Sequence, residues 1–278
     1  MPRPFTVRTF LIVLAFVLVD LAGHVVGPAL RYPDPSPLLA HPSLMKAVAF
    51  ALLVLAFSLA ALTLLRLEPG LPEVRGARRG LRFGLAMSAS WLVGGLEMPL
   101  LTGCAFGQEL YTAAVDSAAL LMLLVTVGAT GGRRAASRPA GGRGAVAWPF
   151  ALVVVANGLG RGAALLLQRI PGTAERPVAL AATSAAWCLC MGALYLALRP
   201  GLGEGGPWRR AGRATLAFGA SYLAFCAFLP VFARIEPAEF LARIAAEVGC
   251  FAAGVVASER WTASVTAVRR GAGAPAPV

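Results

Sequence analysis

The stretch FLIVLAFVLVDLAGHVVGPAL, residues 10–30, is one apolar segment broken by a single acid, Asp20, and a single histidine, His24. At 1.5 Å per residue, a helix of this length crosses about 30 Å of hydrocarbon. Seven further runs of similar character follow, at 47–65, 81–102, 110–130, 146–167, 178–198, 214–232 and 240–257. None alternates with period two, so a membrane barrel is not expected. In lipid each backbone N–H and C=O must be satisfied within its own segment, so every run is expected to be a helix. The expected fold class is all-α: a polytopic integral membrane protein with eight transmembrane helices.

Composition agrees. Hydrophobic residues make up 58% of the chain and charged residues 14%, with a mean hydropathy of +0.73, too little polar surface for a soluble protein of this length. The net charge of +12 does not indicate nucleic acid, because the arginines sit in short connectors between apolar runs. The expected partner is the lipid bilayer, with a small solute or a lipid as the ligand class and no nucleic acid. Lys46 is the single lysine beside many arginines and alanines, a composition typical of GC-rich bacterial genomes, so a bacterial cytoplasmic (inner) membrane is the expected location.

Arg3 and Arg8 ahead of residues 10–19 resemble a signal peptide, but the apolar run resumes after Asp20 and is long enough to span. A retained first span is expected. Cys188, Cys190, Cys226 and Cys250 lie inside apolar runs and only Cys104 is near a loop, so the cysteines read as packing residues and not as a disulfide framework. Pro/Gly/Arg-rich connectors at 32–42, 68–80, 131–144, 171–177 and 200–212 end the helices.

The basic residues set the orientation. Eighteen lie on the side of the N-terminus, of the connectors 68–80, 131–144 and 200–212, and of the C-terminus, against six on the other. The asymmetry places both termini in the cytoplasm.

The two halves resemble each other. Asp20-x-x-Gly23-His24 corresponds to Asn157-x-x-Gly160-Arg161, Leu65-Arg66 to Leu198-Arg199, and Pro69-Gly70-Leu71 to Pro200-Gly201-Leu202. Phe83-Gly84 corresponds to Phe218-Gly219, Pro99 to Pro230, and Asp116 to Glu247. Four spans is an even number, so a 4+4 repeat would be parallel, with its pseudo-two-fold along the membrane normal. The chain is expected to divide into a first four-helix repeat (1–130), a cytoplasmic Arg-rich linker (131–145), a second repeat (146–260) and a disordered cytoplasmic tail (261–278).

Ionisable groups inside spans are costly and mark cavities or pairs. Together with the equivalent asparagine, they are Asp20, His24, Glu97, Asp116, Asn157, Arg161 and Glu247, and in the expected topology all fall at the centre or in the outer half of the bilayer. Asp20, His24 and Arg31 form one helical stripe, Asn157, Arg161 and Gln168 its counterpart, and Glu109, Thr112 and Asp116 a third. Gly23-x-x-x-Gly27 and Gly158-x-x-x-Gly162 are expected to let their helices approach a neighbour closely.

Three functions fit these features. The first is a transporter or permease-like bundle whose seven polar residues line a cavity open to the extracytoplasmic side. The second is a non-catalytic assembly or sensing component held together by those residues. The third is an intramembrane enzyme acting on lipid or a lipid-linked substrate, with Asp20 and His24 as ligands of a metal completed by Glu97 or Asp116. With one intramembrane histidine and no H-E-x-x-H motif, nucleophile elbow or phosphate loop, no catalytic residue, cofactor or metal is assigned, and enzymatic activity is the weaker expectation.

Overall fold

The computed structural model describes residues 3–28, 31–73, 75–131, 146–167, 177–234 and 236–272. All eight apolar segments are helical: α1 (Val7–Val26), α2 (Pro42–Leu67), α3 (Gly76–Thr102), α4 (Phe106–Ala129), α5 (Ala147–Leu167), α6 (Pro177–Leu198), α7 (Pro207–Cys226) with the short α8 (Leu229–Phe232), and α9 (Pro237–Ala272). Six of these stretches, namely α1, α2, α4, α6, α7–α8 and α9, are long and apolar enough to cross a membrane among the described residues. They make the chain fit a multi-pass membrane protein in a lipid bilayer.

Local chemistry sets the ends. The Thr6 hydroxyl accepts from the Thr9 N–H and caps α1, which stops at Gly27 ahead of Pro28. Arg31 therefore lies beyond α1 and does not extend the Asp20–His24 stripe. Pro42 and Pro207 open α2 and α7, where a missing N–H costs nothing. Gly103, at φ +72°, closes α3 in the left-handed region that glycine adopts freely. Pro99 is carried inside α3, whereas Pro230 sits in the first turn of α8, after α7 has ended at Cys226.

Three boundaries differ from expectation. Arg78 and Arg79 are in α3, and Arg209 and Arg210 in α7, rather than in the connectors, because those helices begin several residues early. The tail expected to be disordered from 261 is helical to Ala272. Of the expected linker, 132–145 lies outside the described residues, as do Gln168 and 273–278.

The helices pack in a regular order. α1 lies on α2 and α4; α5 lies on α6 and α9. α3 packs on α4 and α6; α7 packs on α9 and α2. Between these sets the 3-10 turns Glu68–Gly70 and Arg199–Leu202 meet back to back. A Cβ on Gly70 would fall 2.5 Å from the Pro200 carbonyl, and one on Gly201 2.7 Å from that of Leu67. Val13, Val17, Phe57, Leu64, Leu120, Tyr195 and Phe251 are in the core, while Leu18, Leu159, Leu216 and Leu241 face outward as lipid-facing residues would.

Small residues set the closest approaches. Gly23 and Gly27 seat Val115 and Tyr111 of α4, as their spacing predicts. The Gly158/Gly162 pair does not act this way: nothing lies within 4 Å of a Cβ on Gly162. Instead Gly160 and Gly254 make the α5–α9 contact, against Cys250 and Val153.

Candidate functional site

The seven polar residues separate into two clusters and one bystander. Asn157 is buried and donates its amide to the Val153 carbonyl one turn back.

The first cluster joins α1 to α4. His24 Nε2 is 2.7 Å from Asp116 Oδ1 and 3.5 Å from Asp20 Oδ2. Asp20 is 1% exposed, and neither of its oxygens makes a hydrogen bond. His24 and Asp116 are only part-buried, because they line a cavity of about 850 Å³ between α1, α2, α3, α4 and α8. Its walls are mainly apolar and aromatic, among them Leu21, Phe50, Leu53, Trp91, Met98, Phe225 and Phe228.

The connector between α1 and α2 roofs this cavity. Its backbone pairs with the end of α8, Ser36 N–H to the Phe232 carbonyl and Arg234 N–H to that of Asp34. The Tyr32 ring stacks on Phe232, and its hydroxyl donates to Glu109 at 2.7 Å. The Cys104 thiol donates to the same carboxylate at 3.5 Å. Burial raises the pKa of both donors, and the Glu109 charge adds to it; the Cys104 thiol is pushed up to about 11. Glu109 and Thr112 line the cavity beside Asp116, as their helical spacing implies.

The second cluster joins α3, α5 and α9. Arg161 pairs with Glu97 and, at 3.1 Å, with Glu247. Arg243 pairs with Glu97 at 2.7 Å and with Glu247 at 3.4 Å. Each charge touches both of its opposites, and the Arg161 guanidinium lies 5.0 Å over the Trp187 ring. The adjoining void is only about 20 Å³. Glu97 is therefore a buried ion-pair partner, and Arg161 is engaged with Glu97 and Glu247, so it does not pair with Asp20.

Sequence reasoning left Tyr32, Glu109 and Arg243 out of the site. Glu109 had a signal in its stripe with Asp116, and Arg243 in its one-turn spacing from Glu247. Nothing in the sequence marks Tyr32, whose role depends on the fold of the roof. Away from both clusters, Glu68 is held by Arg3 and Arg79, and Glu259 by Tyr195, Arg199 and Arg210. These pairs tie helix ends together. Compared with protein-family models, with curated proteins and with solved structures, the chain matches none.

Proposed function

We propose that the protein is a permease-like bundle of eight spans, in a bacterial inner membrane with both termini in the cytoplasm. In this reading it admits an amphipathic small molecule from the extracytoplasmic side. The carrying observation is the 850 Å³ cavity, mainly apolar along its walls, with Asp20, His24 and Asp116 among its few polar lining residues beside Lys46 and Glu109. A space of this size and lining suits a ligand with an apolar body and one polar end.

The packing order supports a 4+4 parallel repeat. Most helix contacts in one half have a counterpart when α1, α2, α3 and α4 are matched to α5, α6, α7 and α9, including the crossed contacts α2–α7 and α6–α3; the α2–α4 contact has no equally extensive α6–α9 equivalent. His24–Asp116 then corresponds to Arg161–Glu247. The back-to-back turns at Gly70 and Gly201 fall where such an axis would pass.

The test uses the fluorescent amphiphile 1-aminoanthracene with the protein in nanodiscs and in proteoliposomes. Saturable binding and protein-dependent flux are expected. Ala49→Trp, which fills the cavity, should abolish both, and Leu159→Trp on the outer surface should leave them intact. Non-saturable partitioning equal to that of empty nanodiscs would sink the proposal.

A further inference from the structure

The two clusters occupy matching places in the proposed repeat, yet their charges balance differently. The second contains two carboxylates and two guanidiniums, all in mutual contact. The first contains two carboxylates and one imidazole. The first cluster therefore holds one acid more than it has bases, in a buried setting where an uncompensated charge costs several kcal/mol. Asp20 concentrates the deficit: it is buried, carries two oxygens without a hydrogen bond, and faces His24 Nε2.

The geometry points to a divalent metal ion of the zinc class held by Asp20, His24 and Asp116. One donor atom from each lies within 4.8 Å of the other two. That is slightly wider than bonds of about 2.0–2.2 Å to a shared centre require, and small side-chain rotations close it. One imidazole nitrogen and two carboxylates, without a thiolate, favour first-row divalent ions over softer ones. Asp20 and His24, one turn apart on α1, supply two ligands from one rigid element, and Asp116 supplies the third from α4. The part-exposed His24 and Asp116 face the cavity, which leaves the remaining coordination positions open to a ligand there. A bound cation gives the first cluster the positive charge that Arg161 provides in the second. The polar end of a cavity ligand then meets a metal, which selects an oxygen donor such as a carboxylate, phosphate or hydroxamate.

The test is Zn²⁺ titration by calorimetry on untagged, chelator-stripped protein in nanodiscs, together with the visible absorption of a Co²⁺-loaded sample. One ion per chain is expected, with a Co²⁺ band that Zn²⁺ bleaches. Asp20→Asn and His24→Gln should each weaken Zn²⁺ by at least about 100-fold, the upper end of what losing even an outer-shell partner does. Glu73→Gln, on the inner side, should bind as the parent does. Stoichiometric binding unaffected by either ligand substitution, or no Co²⁺ band in the parent, overturns the assignment. Should neither variant fold, the parent's Co²⁺ spectrum decides alone, since nitrogen and oxygen ligation without sulfur is required. Metal binding without 1-aminoanthracene binding would retain this site and remove the permease reading; the reverse result would do the opposite.

Discussion

Two polar clusters, matched to each other only in the proposed repeat, have opposite designs. The one built on Arg161 balances its charges: two carboxylates and two guanidiniums pair across α3, α5 and α9, with Arg161 Nη1 and Glu247 Oε2 left without a hydrogen bond, and about 20 Å³ of void adjoins it. The one built on His24 is incomplete and borders a cavity of about 850 Å³. A buried network that balances itself fixes helices relative to one another. An unbalanced one beside open space is prepared for something from outside, and it loses stability in the absence of that ligand. The difference spans several positions: Arg161 stands where the other half has His24, Asn157 where it has Asp20, and Glu97 and Arg243 join only the closed cluster.

Arg161→Leu should break the closed cluster with the largest effect. It strands two buried carboxylates with Arg243 alone, and a loss of about 3–5 kcal/mol is expected. Thermal unfolding in nanodiscs reads it, and a shift no larger than that of an outward-facing substitution would show the cluster to be dispensable.

Asp20→Asn should act in the other direction in metal-free buffer. The substituted amide removes a charge, can donate to Asp116, and reproduces the residue found at the corresponding Asn157. Stability should rise by about 1 kcal/mol, the scale of one buried hydrogen bond gained. A drop of several kcal/mol would mean that Asp20 is already paired.

The roof gives the smallest effects. Tyr32→Phe removes a hydrogen bond worth about 0.5–1.5 kcal/mol and should loosen the connector over the cavity. Cys104 reports on this directly. Its thiol, raised to about 11, is protonated at neutral pH, so maleimide should react slowly there and faster as pH climbs towards that value. In Tyr32→Phe the rate at fixed pH should increase. Equal rates in the two proteins would show that the connector does not gate access.

Much of the fold was legible because bilayer thickness imposes a length on apolar runs: all eight runs are helical, six of them within about five residues of their expected ends, while the seventh starts earlier and breaks in two and the eighth continues to Ala272. Boundaries failed where arginines begin a helix: Arg79 looks like loop sequence until Glu68 is seen to bury and neutralise it. The break after Cys226 was also hidden, since Pro99 and Pro230 look equivalent in sequence and only one ends a helix. The site residues were legible as costly groups inside apolar runs, but their grouping was not. Helical spacing joins Asp20 to His24 and Glu109 to Asp116, whereas pairing Glu97 with Arg161 needs two helices brought together by neighbours. One expected cavity proved to be two clusters for that reason.

The central contrast is tested most directly by unfolding Asp20→Asn and Glu247→Gln side by side in metal-free nanodiscs. Each change neutralises one carboxylate, in the open and in the closed cluster respectively. Glu247→Gln should lose about 3–5 kcal/mol, because it leaves two guanidiniums facing one carboxylate, and Asp20→Asn should lose nothing. Equal losses in both would contradict the division into one open and one closed site.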